Sequence, residues 1–317
     1  MRSELVNDWL ATTEWSGCTR IPMTGDASAR RYERLLGPSN QSVILMDAPV
    51  ETCGSQSRFV EIATHLNKLS LAAPEVLAWN EVDGLLMLSD LGQIDFAKHL
   101  RTSRHDEVEL HASAVDVLKT LQTAPIPSGL ANMTPEVGAE MISLAFVWAA
   151  KDQSHNLAEN ITAQIHALLT EVDPNPSTLS LRDFHAENLI WRPGEHGTDR
   201  IGILDFQDAF ITHPAYDLAS LLRDARRDVN PDLVDPLINQ LAGDDDHVTF
   251  KRAFHVMAIQ RNLRILGIFN RLAKQDGKMS YLNLIPRVWA HLQTDLAESG
   301  LSDLSPLIER AFDPTET

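Results

Sequence analysis

A chain of 317 residues, 44% hydrophobic and 22% charged, can bury the core of one large domain or of a two-lobed unit, and its composition excludes a mainly disordered protein. Its formal net charge of −17, from 44 acidic against 27 basic residues, opposes nonspecific binding to nucleic acid or to anionic membranes. Two cysteines, Cys18 and Cys53, exclude a disulfide framework and show no zinc spacing.

The first fifteen residues carry charges throughout and lack the apolar core of a secretory signal. No stretch approaches the roughly 20 apolar residues of a membrane span, so a cytoplasmic protein with no membrane partner is expected. Leu5, Trp9 and Leu10 recur at helical spacing and predict a short helix over 3–12. Strand patterns follow at 18–23, 31–36 and 42–46, with turns at Gly25-Asp26-Ala27-Ser28 and Gly37-Pro38. A helix from Gln56 to Leu69 and two further strands, 75–79 and 85–88, complete a small antiparallel sheet.

Beyond Ser89-Asp90-Leu91-Gly92 the pattern becomes mostly helical. Helices are predicted over 105–122, 134–150, 156–171, 216–224, 231–241, 247–275 and 281–299, the second with Thr134 as N-cap and Pro135 at its first position. No internal repeat or low-complexity segment interrupts them. Between the third and fourth of these helices, residues 182–208 read RDFHAENLIWRPGEHGTDRIGILDFQD.

That run carries the chemistry. Asp183 stands five residues before Asn188, and Asp205 closes a short apolar run, Ile201-Gly202-Ile203-Leu204. Moving a phosphoryl group from a nucleotide to a hydroxyl takes a carboxylate to receive the hydroxyl proton, and oxygen ligands to hold Mg²⁺ against the phosphates. Asp183 suits the first role, Asn188 and Asp205 the second. Leu189-Ile190-Trp191 reads as a strand, Pro193-Gly194 as a turn and Ile201-Gly202-Ile203-Leu204 as the returning strand.

The segment resembles the catalytic motif of the aminoglycoside phosphotransferase and choline kinase superfamily, relatives of the protein kinases. There H-G-D-x-H-x-x-N precedes an I-D-F or I-D-W metal site; here Leu181 and Arg182 replace His-Gly. Pro214-Ala215-Tyr216-Asp217-Leu218-Ala219 resembles the family's P-x-x-D-L-A helix start, which implies that Asp217 braces the catalytic loop. The resemblance implies an α+β, two-lobed protein-kinase-like fold, with a β-sheet lobe over 1–91 and a helical lobe over 92–317. It also implies ATP as donor, with adenine held by the backbone at Asp90 and Leu91. Gly25, Ser28 and either Arg30 or Arg31 would lie on its phosphates. The arginines are considered because the third strand, Val43-Ile44-Leu45-Met46, lacks the lysine of protein kinases; Glu61 is a candidate partner.

GDASARRY, VILMDAP, LSDLG, RDFHAENL, ILDFQDA and YDLASLLRDA, with QRNLRILGIFNRLA, are similar to one bacterial branch, the N-acetylmuramate/N-acetylglucosamine 1-kinases of cell-wall recycling. That similarity implies Mg²⁺-dependent phosphorylation of the C1 hydroxyl of an amino sugar, and a product that a sugar-1-phosphate nucleotidyltransferase then takes. Candidate sugar contacts are His185, Gln207, Asp208, Arg223, Arg261 and Arg264, with the arginines suited to a lactyl carboxylate and otherwise read as a solvated face or as partners of Asp224. Two alternatives remain: a kinase for an aminoglycoside, choline or hydroxy amino acid, and, from the missing lysine, a catalytically silent nucleotide-binding regulator.

Overall fold

Strand-forming residues crowd the first 90 positions, and there the computed structural model places a five-stranded antiparallel sheet. Residues 2–23, 29–38, 41–151, 154–298 and 300–312 are described; the predicted turn at Gly25 and Ser28 lies outside them. The chain forms two compact units, residues 1–94 with 189–207, and residues 95–188 with 208–317.

The first unit begins with α1 (Arg2–Ala11) and the strands β1 (Thr19–Met23), β2 (Arg31–Leu36) and β3 (Ser42–Asp47). Helices α2 (Val50–Cys53) and α3 (Ser57–Lys68) precede β4 (Val76–Asn80) and β5 (Leu85–Ser89), and the sheet order is β1-β2-β3-β5-β4. Period-two alternation puts Leu35, Val43, Leu45, Leu85 and Met87 on one face, where Val6 and Leu10 of α1 and Trp15 join them in one core. β5, inside the sheet, has Leu85 to Leu88 buried on both faces. Helix α3 turns Phe59, Ile62, Ala63 and Leu66 inward at the i, i+3, i+4, i+7 spacing of an amphipathic helix.

The second unit is mainly helical. It opens with α4 (Phe96–Thr102), started by Asp95, whose carboxylate accepts from the Lys98 amide at 2.7 Å, and continues through α5 (Glu107–Gln122). The single helix predicted over 134–150 is two, α6 (Pro135–Glu140) and α7 (Ser143–Trp148), followed by α8 (His155–Val172) and β6 (Thr178–Ser180). Next, β7 (Leu189–Trp191) and β8 (Ile201–Ile203) form the hairpin that belongs to the first unit, and β8 ends before Leu204. β9 (Phe210–Thr212) pairs with β6, and α9 (Ala215–Leu222), α10 (Val234–Ala242), α11 (His247–Lys274), α12 (Ile285–Leu296) and α13 (Ser305–Phe312) complete the unit. No helix among the described residues is long and apolar enough to cross a membrane.

Helix α11 is the axis of this unit, buried nearly without break from Ala253 to Gly267 and packed on α7, α9 and α12. It makes its closest approach to α7, beyond the break after Glu140. The α7 backbone runs so close to Gly267 that a Cβ there would stand 2.4 Å from the Leu144 carbonyl carbon and 2.5 Å from the Ala145 nitrogen. Gly267→Ala is therefore expected to destabilise the protein by about 1–3 kcal/mol, seen as a lower urea midpoint at unchanged slope.

Candidate functional site

The loop that carries Asp183 and Asn188 leaves β6 and is fastened at once to the first turn of α9. Asp217, 2% exposed, accepts hydrogen bonds from Ser180 Oγ at 2.8 Å, from the Leu181 amide at 2.7 Å and from the Arg182 amide at 2.9 Å. Ser180 Oγ also accepts from the Arg182 amide, at 3.1 Å. These bonds hold Arg182 at φ 72°, a left-handed conformation that glycine adopts without penalty. Arg182 occupies the position where the motif carries glycine, so the bonds to Asp217 enforce a geometry that the residue type disfavours. Burial pushes the Asp217 carboxyl up to about 6, against the pull of its three hydrogen bonds.

The fastened backbone presents Asp183 and returns Asn188. The Asp183 amide donates to the Leu181 carbonyl at 2.9 Å, the His185 amide to the Asp183 carbonyl at 3.1 Å, and the Asn188 amide to the His185 carbonyl at 2.9 Å. Asn188 Nδ2 donates to the Asp183 carbonyl at 2.9 Å and lies 3.3 Å from His185 Nε2, so the amide is oriented and Oδ1 is the atom it offers elsewhere. His185 is 7% exposed; burial, and then the charges of Arg226 and Arg261, push its pKa well below the ordinary value.

In the first unit, Asp205 follows β8 as an exposed residue at φ 58°, and Gln207 Nε2 donates to its Oδ1 at 2.8 Å. The next residue, Phe206, is fully buried and stacks on Phe59 of α3 with centroids 5.0 Å apart. Arg31 is exposed, whereas Arg30 is hydrogen-bonded to the hydroxyl of Tyr32. Burial raises the Tyr32 pKa first; Arg30 works against that and Asp205 adds to it, which places Tyr32 in the fields of both. Glu61 pairs with Arg58 at 2.8 Å.

Asp90 is saturated by its own unit. It accepts from Arg34 Nε at 2.6 Å, Arg34 Nη2 at 3.0 Å, Ser42 Oγ at 2.7 Å and the Gly92 amide at 3.0 Å. Burial acts to raise its pKa, but the hydrogen bonds from Arg34, Ser42 and Gly92 outweigh it and hold the carboxyl below its ordinary value. Leu91 lies over β8, where a Cβ on Gly202 would come within 3.3 Å of it.

The other candidates separate. Arg223, Arg261 and Arg264 are 6%, 6% and 9% exposed, so none lies on a solvated face. Arg223 donates to Asp295 through Nε at 3.0 Å and Nη2 at 2.7 Å, and Asp295 also bonds His255 Nδ1 at 2.9 Å; this guanidinium is committed to Asp295, not to Asp224. Arg261 stands in the fields of Tyr216, Asp183 and Asp224. Asp208 is an exposed side chain 3.9 Å from Arg182 Nη1. Sequence reasoning did not single out Arg226, whose Nε bonds Glu187 at 2.8 Å and whose amide donates to Asp224 Oδ1 at 2.8 Å. Nor did it single out Arg34; its place on a strand two residues from Tyr32 was the one signal available.

The profile of the phosphotransferase enzyme family (APH) matches residues 19–250. The chain belongs to that family. An N-acetylmuramate/N-acetylglucosamine kinase of Caulobacter vibrioides is 32% identical to this phosphotransferase, over 98% of this chain and 96% of the relative. One of the same name from Pseudomonas aeruginosa is 30% identical over 91% and 87%. Among solved structures, a choline/ethanolamine kinase family protein from Mesorhizobium loti shares the fold at a TM-score of 0.66 and 15% identity, covering 98% of this chain and 99% of its own.

The brace of this phosphotransferase makes a pH prediction. A carboxyl whose folded pKa is raised from 3.8 to about 6 binds its proton more tightly when folded, so its stabilisation is full below the lower value and lost as pH rises through the higher. The window spans about 2 units, roughly 3 kcal/mol. Asp173, also pushed up to about 6 by burial, contributes with the same sign. Subtracting the melting-temperature profile of Asp217→Asn between pH 4 and 7 isolates Asp217, and the remaining difference should favour the wild type more at the acid end.

Proposed function

We propose that the protein transfers the γ-phosphoryl group of ATP to the C1 hydroxyl of N-acetylmuramate or N-acetylglucosamine, giving the sugar 1-phosphate in peptidoglycan recycling. The observation that carries this reading is near full-length similarity to kinases named for those two sugars, in a chain whose catalytic loop holds Asp183 and Asn188 by its own backbone. A nucleotidyltransferase is the expected consumer of such a product.

In this reading Asp183 orients the anomeric hydroxyl and receives its proton as the oxygen bonds to the γ-phosphorus and the bond to the β,γ-bridging oxygen breaks. The anomeric hydroxyl is more acidic than an ordinary sugar alcohol, so late proton transfer to a carboxylate suffices. Asn188 Oδ1 and the Asp205 carboxylate would hold Mg²⁺, and their chemistry fits. Nδ2 of Asn188 is engaged by Asp183, which leaves the oxygen for a cation, and Asp205 keeps Oδ2 beside the Oδ1 that takes Gln207. Among the described residues no cluster of three or more His, Cys, Asp or Glu is placed to hold a metal alone. Mg²⁺ needs no such cage, because one or two protein oxygens, water and substrate phosphates complete its shell. When bound, the ion neutralises charge on the transferring phosphoryl group.

Because the Asp90 carboxylate is spent on Arg34, adenine would be met by the backbone at Asp90 and Leu91, with the phosphates under residues 25–28, including Gly25 and Ser28. Arg30 or Arg31 would supply positive charge to those phosphates, and Arg30 is the one bonded to Tyr32. Arg264 and Gln207 remain candidate sugar contacts.

Incubation with ATP, Mg²⁺ and a panel of N-acetylglucosamine, N-acetylmuramate, aminoglycosides, choline and hydroxy amino acids tests the acceptor. Phosphorus NMR should show an anomeric phosphate with the first two, and phosphate on neither would sink the reading. Asp183→Asn should lose about 10²- to 10⁴-fold in kcat while retaining nucleotide binding by calorimetry. In Asp205→Ala, nucleotide affinity should no longer respond to Mg²⁺; an unchanged response would remove Asp205 from the metal site.

A further inference from the structure

Three buried polar atoms beside the catalytic loop have no hydrogen-bond partner among the described residues: Arg261 Nη1, Asp224 Oδ2 and His185 Nδ1. Their residues are 6%, 1% and 7% exposed. Buried polar groups are ordinarily paired, because leaving one unpaired forfeits its hydration with no return. Here all three belong to one neighbourhood. Arg261 lies in the fields of Asp183 and Asp224, and His185 lies in the field of Arg261.

The surroundings fix what each atom offers. His185 Nε2 faces the Asn188 amide at 3.3 Å, so the ring proton is assigned to Nδ1, which makes the unpaired atom a donor. Asp224 spends Oδ1 on the Arg226 amide, and the Arg226 guanidinium turns to Glu187, so Oδ2 stands as an acceptor that Arg226 does not reach. Arg261 projects from α11 and offers a second donor. Two donors and one acceptor next to Asp183 are the complement of a ligand that offers a carbonyl oxygen to the donors and a hydroxyl to the acceptor, as an acetamido group and a hydroxyl on neighbouring ring carbons do.

We propose that Arg261, His185 and Asp224 form the acceptor-recognition site, with Arg261 and His185 donating to the 2-acetamido carbonyl oxygen and Asp224 accepting from a ring hydroxyl. The assignment rests on the amino-sugar reading above and names the group by which the sugar is read. Charge favours the neutral carbonyl over a lactyl carboxylate, because Asp183 and Asp224 already oppose Arg261. An added carboxylate would stand among like charges. A pocket built around the acetamido group then accepts both N-acetyl sugars and rejects glucosamine.

Steady-state kinetics of the full chain with N-acetylglucosamine, N-acetylmuramate and glucosamine, for wild type, Arg261→Met and Asp224→Asn, test this. Arg261→Met should raise KM at least thirtyfold for both N-acetyl sugars, leave the ATP KM within threefold and narrow the preference over glucosamine. Its melting temperature should fall, because the buried Asp224 loses the charge that opposes it, so the split between sugar and ATP KM is the readout that separates recognition from stability. Asp224→Asn keeps the oxygen facing Arg226 and should raise the sugar KM at least tenfold. Unchanged sugar KM in both variants, a loss confined to N-acetylmuramate, or parallel rises in sugar and ATP KM would each overturn the assignment. If the wild type phosphorylates no amino sugar, the broader reading fails with it; if the wild type works and the variants keep their KM, only this assignment fails.

Discussion

The loop that carries Asp183 depends on one buried carboxylate. Asp217 gathers a hydroxyl and two backbone amides from residues 180–182, and those bonds hold Arg182 in a conformation that costs a non-glycine residue roughly 1–2 kcal/mol. Such strain persists only where its surroundings overdetermine it. Asp183 is the next residue, so its direction is set by a carboxylate 34 positions downstream rather than by local preference. The same helix that supplies the brace leads into Asp224 and Arg226, which border the loop from the other side.

A chain with a net charge of −17 nonetheless buries several of its arginines. Arg34 is fixed to Asp90 and Arg223 to Asp295, each by a paired geometry that offsets the loss of hydration. These two shape the protein. Arg261 is buried just as deeply, yet its Nη1 finds no such partner among the described residues, so burial alone does not distinguish a structural arginine from one held for a ligand.

Much of this was legible in the sequence because it is local. The strands of the first unit alternate visibly, and the D-x-x-x-x-N spacing with its following hairpin marks Asp183, Asn188 and Asp205 without reference to distant residues. The strands β6 and β9 were not legible: they are as short as β7 and β8, but they pair across 30 to 34 positions with no hairpin turn to mark them. Nor were the partners of the arginines: Arg34 meets Asp90 across 56 positions and Arg223 meets Asp295 across 72, pairings that only packing decides. The break in the helix predicted over 134–150, a turn at Met141 and Ile142, was not legible either, since no glycine or proline stands at the break.

The chain passes between the two units three times, after Ile94, Asn188 and Gln207. The hairpin that returns to the sheet-bearing unit is bonded into it, through the Trp191 amide to the Ile94 carbonyl at 2.8 Å and the Ile203 amide to the Ala72 carbonyl at 2.7 Å, and Phe206 stacks on Phe59. A cut after Ile94 would strip that unit of two strands and of Asp205. The sheet-bearing half is therefore not a cassette that can be inherited by itself: a recombination that exchanges it between relatives has to carry residues 189–207 along with 1–94, or leave the recipient with a mismatched pair.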